Sequence, residues 1–126
     1  MSKFPIRVDP LWAAPMLLIG VHGSTAYLEI GDTELTLKFG FAHETFPFAD
    51  LGPPVETEWS MINGLGVRFG PDGIGYVGST HGVVFMPLKK PKALKVLLNL
   101  THEVDGFYAS LEDPAAFIAA LRAKIL

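Results

Sequence analysis

The chain of 126 residues contains no cysteine. Disulfide bonds, thiolate catalysis and cysteine-ligated metal sites are therefore excluded. This composition is compatible with a reducing compartment. The chain also lacks an excess of basic residues, since its formal net charge is −3 at pH 7. A general nucleic-acid-binding protein normally carries a basic surface, so the charge argues against that class.

The segment most similar to a targeting signal is the apolar run Leu11–Val21, which follows two basic residues near the N-terminus. That order imitates a secretory signal. However, the run is too short to span a membrane, Asp9 separates it from the basic residues, and Pro10 and Pro15 are expected to break a continuous helix. We therefore expect a cytoplasmic protein.

Glycine and proline are frequent, with 13 and 10 residues respectively. They interrupt the chain at intervals too short for long helices and favour short strands joined by turns. Hydrophobic residues make up 49% of the chain, which is enough for one core. The length fits a single domain over residues 1–126.

Alternating side chains and turn residues predict seven or eight short strands between about residues 16 and 111. The first covers Met16–His22, and a hairpin joins Thr25–Ile30 to Glu34–Phe39. A second hairpin is predicted over residues 65–78. Further strands are predicted at residues 55–61, 82–88 and 106–111, whereas residues 94–100 fit either a strand or a short helix. This pattern is typical of a small antiparallel sandwich or barrel.

Two residues have predicted places in that sheet. Pro47 has no N–H to donate, so it confines any strand in residues 41–51 to a sheet edge or a bend. Trp59 is the expected large core residue of its strand.

The periodicity changes near the end of the chain, where residues 113–126 predict one amphipathic helix. Asp113 is a suitable N-cap, and Pro114 fits the first helical position because its missing N–H has no partner there. One side of the helix carries the apolar residues Phe117, Ile118, Leu121 and Ile125. We expect this helix to plug the sheet and complete the core.

Residues 73–78 fit the spacing G-x-G-x-x-G, which joins a strand to a helix in dinucleotide-binding proteins. Here strand-like residues follow the last glycine. A glycine-rich hairpin with closely packed strands therefore explains the pattern better. We predict no bound cofactor.

The four histidines, His22, His43, His81 and His102, include no pair with the spacing of zinc ligands. We expect them at the surface or at strand ends, and we predict no metal site. Ser79 lies two residues before His81, but no third group that would orient the histidine is identifiable, and no G-x-S-x-G motif occurs. We therefore predict no catalytic residues.

The least ordinary feature is the lysine stretch, defined as Lys89, Lys90, Lys92 and Lys95. Residues 1–88 hold four basic and nine acidic side chains, a balance of −5, whereas residues 89–126 hold six and four, a balance of +2. We interpret the stretch first as a solvated loop, in which Pro91 interrupts regular secondary structure. In the alternative interpretation it binds an anionic partner such as a phosphate or a lipid headgroup.

The segment Phe107-Tyr108-Ala109-Ser110-Leu111-Glu112-Asp113-Pro114 is the most distinctive part of a longer pattern. Weaker parts lie at residues 35–40, 46–51, 64–69, 78–79 and 82–84, and Gly52-Pro53-Pro54 departs from it. Together, over about residues 16–126, they resemble the bacterial pleckstrin-homology-like proteins. The resemblance implies a small bent antiparallel barrel of about seven strands, plugged by the C-terminal helix. It implies no catalytic residues, because that family shares none.

These observations favour a non-catalytic protein-interaction module or a self-associating scaffold, because open sheet edges readily recruit strands. The expected partner is another protein or a second copy of the chain. The alternative is a domain that binds a small ligand or an anionic lipid through the barrel mouth or the lysine stretch. The acidic turn at residues 31–33 does not favour the phosphoinositides that eukaryotic pleckstrin-homology domains often bind through basic loops. An enzyme ranks third.

Overall fold

The described part of the chain forms nine strands and two α-helices. The computed structural model describes residues 2–17, 20–21, 25–40, 42–59, 66–69, 73–97 and 100–125. The strands are β1 (Ser2–Pro5), β2 (Ala26–Ile30), β3 (Glu34–Phe39), β4 (Ala42–Pro47), β5 (Val55–Glu56), β6 (Gly66–Phe69), β7 (Ile74–Val77), β8 (Val83–Leu97) and β9 (Leu100–Ser110). The helices are α1 (Pro10–Leu17) and α2 (Pro114–Ile125), and a 3₁₀-helix covers Phe48–Asp50.

The first sheet is an antiparallel meander in the order β1-β2-β3-β4. In β3 the side chains of Leu35, Leu37 and Phe39 are fully buried, while the residues between them are not. This alternation is the one that the sequence predicts, and the register pairs Leu28 of β2 with Leu37. Strand β4 lies at the edge of the sheet and ends at Pro47, which confirms the prediction made from that proline.

The second sheet has the order β5-β8-β9-β7-β6 and contains one parallel pair. Strands β8 and β9 form a long hairpin, and β6 and β7 form the predicted second hairpin. Strand β9 lies between β8 and β7. It runs antiparallel to β8 and parallel to β7. The predicted mainly β sandwich is confirmed, and among the described strands this parallel pair is its one departure from an antiparallel arrangement, because β9 lies between β8 and β7.

The N-terminal segment differs most from its prediction. A strand is expected over Met16–His22, but Met16 and Leu17 are the end of helix α1, and residues 18, 19 and 22 lie outside the described part of the chain. Pro15 lies inside this helix instead of breaking it. Pro15 has no N–H, so this eight-residue helix lacks one backbone hydrogen bond. Burial of Met16 holds the end of the helix against the core.

The predicted strand over residues 55–61 is also shorter than expected. Strand β5 ends at Glu56, and residues 60 and 61 lie outside the described residues. Trp59 is nevertheless buried, with 4% of its surface exposed, as predicted.

Residues 2–8 join the two sheets at one corner. Strand β1 pairs with β2 in the first sheet, and the chain continues to the second sheet, where Val8 forms a bridge with Gly78. The buried Ser110 hydroxyl accepts a hydrogen bond from the Gly78 N–H (2.9 Å) and donates one to the Arg7 carbonyl (2.9 Å). One hydroxyl thus connects the N-terminal segment, the end of β7 and the end of β9.

A second corner lies where β8 meets the chain that follows β4. Leu88 forms a bridge with Leu51, and the Gly52 N–H donates a hydrogen bond to the Pro87 carbonyl (2.9 Å). Between the two corners the sheets stay open, so the fold is a small β-sandwich rather than a closed barrel.

The core fills the space between the two sheets. Phe46 of β4 stacks on Phe107 of β9 with ring centroids 4.9 Å apart. Phe39 of β3 meets Tyr76 of β7 edge-on at 5.9 Å. These four side chains are at most 1% exposed, so they bind the sheets together through buried aromatic surface.

Helix α2 plugs the sandwich, as the sequence predicts. The Asp113 carboxylate accepts a hydrogen bond from the Ala116 N–H (3.1 Å) and so caps the helix. Phe117 and Leu121 are fully buried, and Phe117 meets Phe4 of β1 edge-on at 5.4 Å. The contact between Phe4 and Phe117 closes the end of the core beside β1.

We predict that Phe117→Ala lowers the free energy of unfolding by about 3–5 kcal/mol, because it leaves a cavity beneath the helix. Urea unfolding followed by circular dichroism measures the change. Lys124→Ala, at an exposed position of the same helix, is the control and should stay within about 0.5 kcal/mol of the natural protein. Equal losses for both variants would contradict the plug role.

We also predict that Ser110→Ala lowers the free energy of unfolding by about 1–3 kcal/mol, since the buried Gly78 N–H loses its acceptor. Ser79→Ala is the matched control. The Ser79 hydroxyl is also buried, but it accepts a partly buried hydrogen bond from the N–H of exposed His81 (3.1 Å), so its loss should cost less, about 1 kcal/mol. The same unfolding assay compares the two, and a larger loss for Ser79→Ala would count against the corner role of Ser110.

Candidate functional site

The lysine stretch belongs to strand β8, so its interpretation as a solvated loop is wrong. Between the pairs Pro87–Gly106 and Lys92–Val104, β8 contains four residues and β9 contains one. The four residues are Leu88, Lys89, Lys90 and Pro91, and the residue opposite them is Asp105. They form a large bulge of four residues opposite one. A proline is tolerated in it because the ladder hydrogen bonds are interrupted there.

The lysines of this stretch have different surroundings. Lys89 and Lys90 are exposed on the bulge. Lys92 is half-buried, and its ammonium nitrogen lies 5.4 Å from the centroid of the Phe46 ring, a cation–π distance. The side chain of Lys95 lies outside the described part of the structure. Among the described lysine side chains of the stretch, two are therefore exposed on the bulge and one packs on the core.

Acidic residues lie close to these lysines on β9. Exposed Asp105 is opposite the bulge, and exposed Glu103 pairs with Ala93. In the described residues no ion pair joins these carboxylates to Lys89 or Lys90, and the ion pair between Arg7 and Asp9 lies elsewhere. The surface is thus of mixed charge, with its cations on the bulge.

Beyond the bulge, the β8–β9 hairpin continues as residues 92–97 and 100–104, which we call the outer hairpin. On the side that faces β4, Leu94 is fully buried and Val104 is 8% exposed. At the end of the ladder Leu97 pairs with Leu100, and Leu100 is 65% exposed. The outer hairpin therefore packs along one side and presents an apolar residue at its end.

Residues 74–77 of this motif form β7, and the next element is β8 and not a helix, so the motif lacks the setting that a dinucleotide-binding loop requires. A Cβ at Gly73 would overlap the backbone of Gly106, and a Cβ at Gly78 would lie 2.7 Å from the Arg7 carbonyl oxygen. Close backbone packing explains these glycines, as predicted from the sequence.

The described histidines lie at the surface. His43, His81 and His102 are exposed, and His22 lies outside the described residues. Within the described chain, no group of three or more side chains is arranged to hold a metal ion. Ser79 is buried and bonds to the backbone N–H of His81, so its hydroxyl has a structural partner.

Sequence reasoning missed a polar pair inside the sandwich, Glu44 and Tyr76. Glu44 shares the inward face of β4 with Ala42 and Phe46, and it is only half-buried. Tyr76 is fully buried; burial, followed by the negative charge of Glu44, raises the pKa of its phenol. The alternation of residues 42–46 carried the signal, because it places Glu44 on the same side as two core residues.

Neither helix of the described chain is long and apolar enough to cross a membrane. A scan against protein-family models finds no match, and searches of curated proteins and of solved structures find none either. The similarity to pleckstrin-homology-like proteins therefore stays a prediction made from the sequence.

We predict that Tyr76 makes the protein sensitive to alkali. An unfolded tyrosine loses its proton near pH 10, whereas folded Tyr76 retains it to higher pH, so unfolding releases a proton and stability falls as the pH rises above 10. The slope from this group approaches about 1.4 kcal/mol per pH unit. Urea unfolding of the natural protein and of Tyr76→Phe between pH 9 and about 11 measures it. Equal slopes for the two proteins would refute the assignment.

Proposed function

We propose that this protein is a non-catalytic interaction module and that the outer hairpin is its contact surface. The partner is another protein or a second copy of the chain. The observation that carries the proposal is the exposure of Leu100, which is 65% exposed at the end of the hairpin ladder. A large exposed apolar residue at the end of a hairpin gains free energy when a partner covers it.

The sheet geometry supports the same surface. Strand β7 pairs with β9 only at residues 107–109, and β5 pairs with β8 only at residues 84 and 85. In the described chain, the outer hairpin therefore has no further strand beside its β9 edge. Such an edge can accept a strand from a partner, and the exposed charges of Glu103 and Asp105 restrict which strands fit.

The exposed cations favour a second candidate, the binding of an anionic lipid or small anion at the bulge. Lys89 and Lys90 are adjacent, exposed and without a carboxylate partner in the described residues. Two lysines near a membrane surface contribute about 1 kcal/mol each, which alone is weak binding. This candidate is therefore secondary.

Kinship with the bacterial pleckstrin-homology-like proteins and a cytoplasmic location are part of this proposal. The plugged sandwich with the helix at Pro114–Ile125 supports the first. The cysteine-free composition is compatible with the second.

A photo-crosslinking amino acid at position 100 tests the contact surface in the source cell. We expect crosslinked products to form there, and their masses identify a second copy or a different protein. Position 17 is the matched control, because Leu17 is similarly exposed (58%) but lies at the end of α1. No product at position 100, or equal products at both positions, would contradict the proposal.

Vesicle sedimentation separates the two candidates. On the proposed function, the protein does not sediment with vesicles of anionic phospholipid more than with neutral ones. Preferential sedimentation that Lys89→Ala with Lys90→Ala abolishes would favour the anionic-lipid candidate instead. Lys3→Ala with Lys124→Ala removes two exposed lysines elsewhere and is the control for net charge.

A further inference from the structure

The outer face of the second sheet, which faces away from the first sheet, carries a row of aromatic rings. Phe85 of β8 pairs with Tyr108 of β9, and their ring centroids are 4.8 Å apart. Tyr108 in turn pairs with Gly75 of β7, which has no side chain. The indole of Trp59 lies in this gap, with its centroid 5.0 Å from that of Tyr108.

Gly75 is the floor on which the indole rests. A Cβ built at Gly75 would lie 2.6 Å from Cη2, 3.0 Å from Cζ2 and 3.1 Å from Cζ3 of Trp59. The far edge of the six-membered ring therefore touches the backbone of β7. Any other residue at position 75 would have to displace the ring, which has no flexible end that can move aside.

Trp59 does not come from the sheet that it covers. Strand β5 ends at Glu56, and the last backbone contact to the sheet before the indole is the hydrogen bond from the Thr57 N–H to the Val83 carbonyl (2.8 Å). In sequence Trp59 lies between β5 and β6, which are the two edge strands of the second sheet. The side chain that fills the gap thus belongs to a connection and not to a neighbouring strand.

We propose that the outer face of the second sheet contains an aromatic-binding slot, with Gly75 as its floor and the Tyr108 ring as a wall, and that Trp59 is its built-in occupant. The ligand class is a planar heteroaromatic ring of indole size. Shape selects it: the floor is bare backbone and the wall is a ring, so a flat bicyclic group makes contact on both, whereas a branched aliphatic group does not. The slot is separate from the outer hairpin and goes beyond the proposed function.

Free indole tests the slot in Trp59→Ala. We expect the melting temperature of this variant to rise by about 4–6 °C when indole is tenfold above its Kd, because the ligand binds only the folded state. The natural protein should not respond, since its own indole fills the slot. Trp12→Ala is the control: Trp12 is half-buried against the core, none of the glycine positions given for the described chain meets its ring, and the variant should not respond to indole.

Gly75→Ala provides a second, independent measurement. When Trp59 is present, the methyl group of the new alanine collides with the indole, and we expect the melting temperature to fall. In Trp59→Ala the same change should lower the melting temperature less and should weaken indole binding at least tenfold. Additive effects of the two substitutions would overturn the proposal.

The remaining outcomes are also decisive. A folded Trp59→Ala protein that responds to indole no more than Trp12→Ala overturns the slot. If Trp59→Ala does not fold alone, the titration is followed by far-ultraviolet circular dichroism. Indole must then restore the strand signal by mass action, and no recovery overturns the proposal.

Discussion

The Ser110 hydroxyl is a single polar group that serves three segments at once, and the corner between the sheets depends on it. It accepts from the Gly78 N–H and donates to the Arg7 carbonyl, partners that lie 32 and 103 residues away in sequence. An apolar residue of similar size would leave a buried N–H without an acceptor, a cost that packing does not recover. Gly78 is matched to this role, because a Cβ there would press on the Arg7 carbonyl oxygen. The fold therefore requires a small hydroxyl and a bare backbone at the same place.

The other corner explains the bulge in β8. One strand has to pair with β9 at Pro87, form a bridge with Leu51, and pair with β9 again at Lys92. The bulge, with four residues of β8 opposite one of β9, provides the extra backbone that β8 needs to contact both β9 and Leu51. The charges of Lys89 and Lys90 keep the added residues in water. The lysine stretch thus has a structural reason that is independent of any partner.

Local patterns in the sequence are sufficient for part of this structure. The alternation in β3 and the cap at Asp113 specify their elements, because each depends on neighbours only a few residues away. The apolar run misleads at Met16 and Leu17, since an apolar run without a period fits a helix as well as a strand. The parallel pair of β7 and β9 depends on distant contacts and leaves no local signal. The same holds for the aromatic slot, whose members Trp59, Gly75 and Tyr108 come together only in the folded sheet.

The corner at Ser110 also sets the order in which a growing chain can fold. Arg7 leaves the ribosome early, yet its partner Ser110 emerges more than a hundred residues later. Phe117, which contacts Phe4, is synthesised later still. Strand β1 can pair with β2 early, but at about 5–20 residues per second its contacts with the end of the chain cannot form for several seconds. The meander of β1, β2, β3 and β4 can pair during that interval, but the sandwich can close only after synthesis of α2. A nascent chain of this kind has a long window in which a chaperone that holds apolar segments can bind.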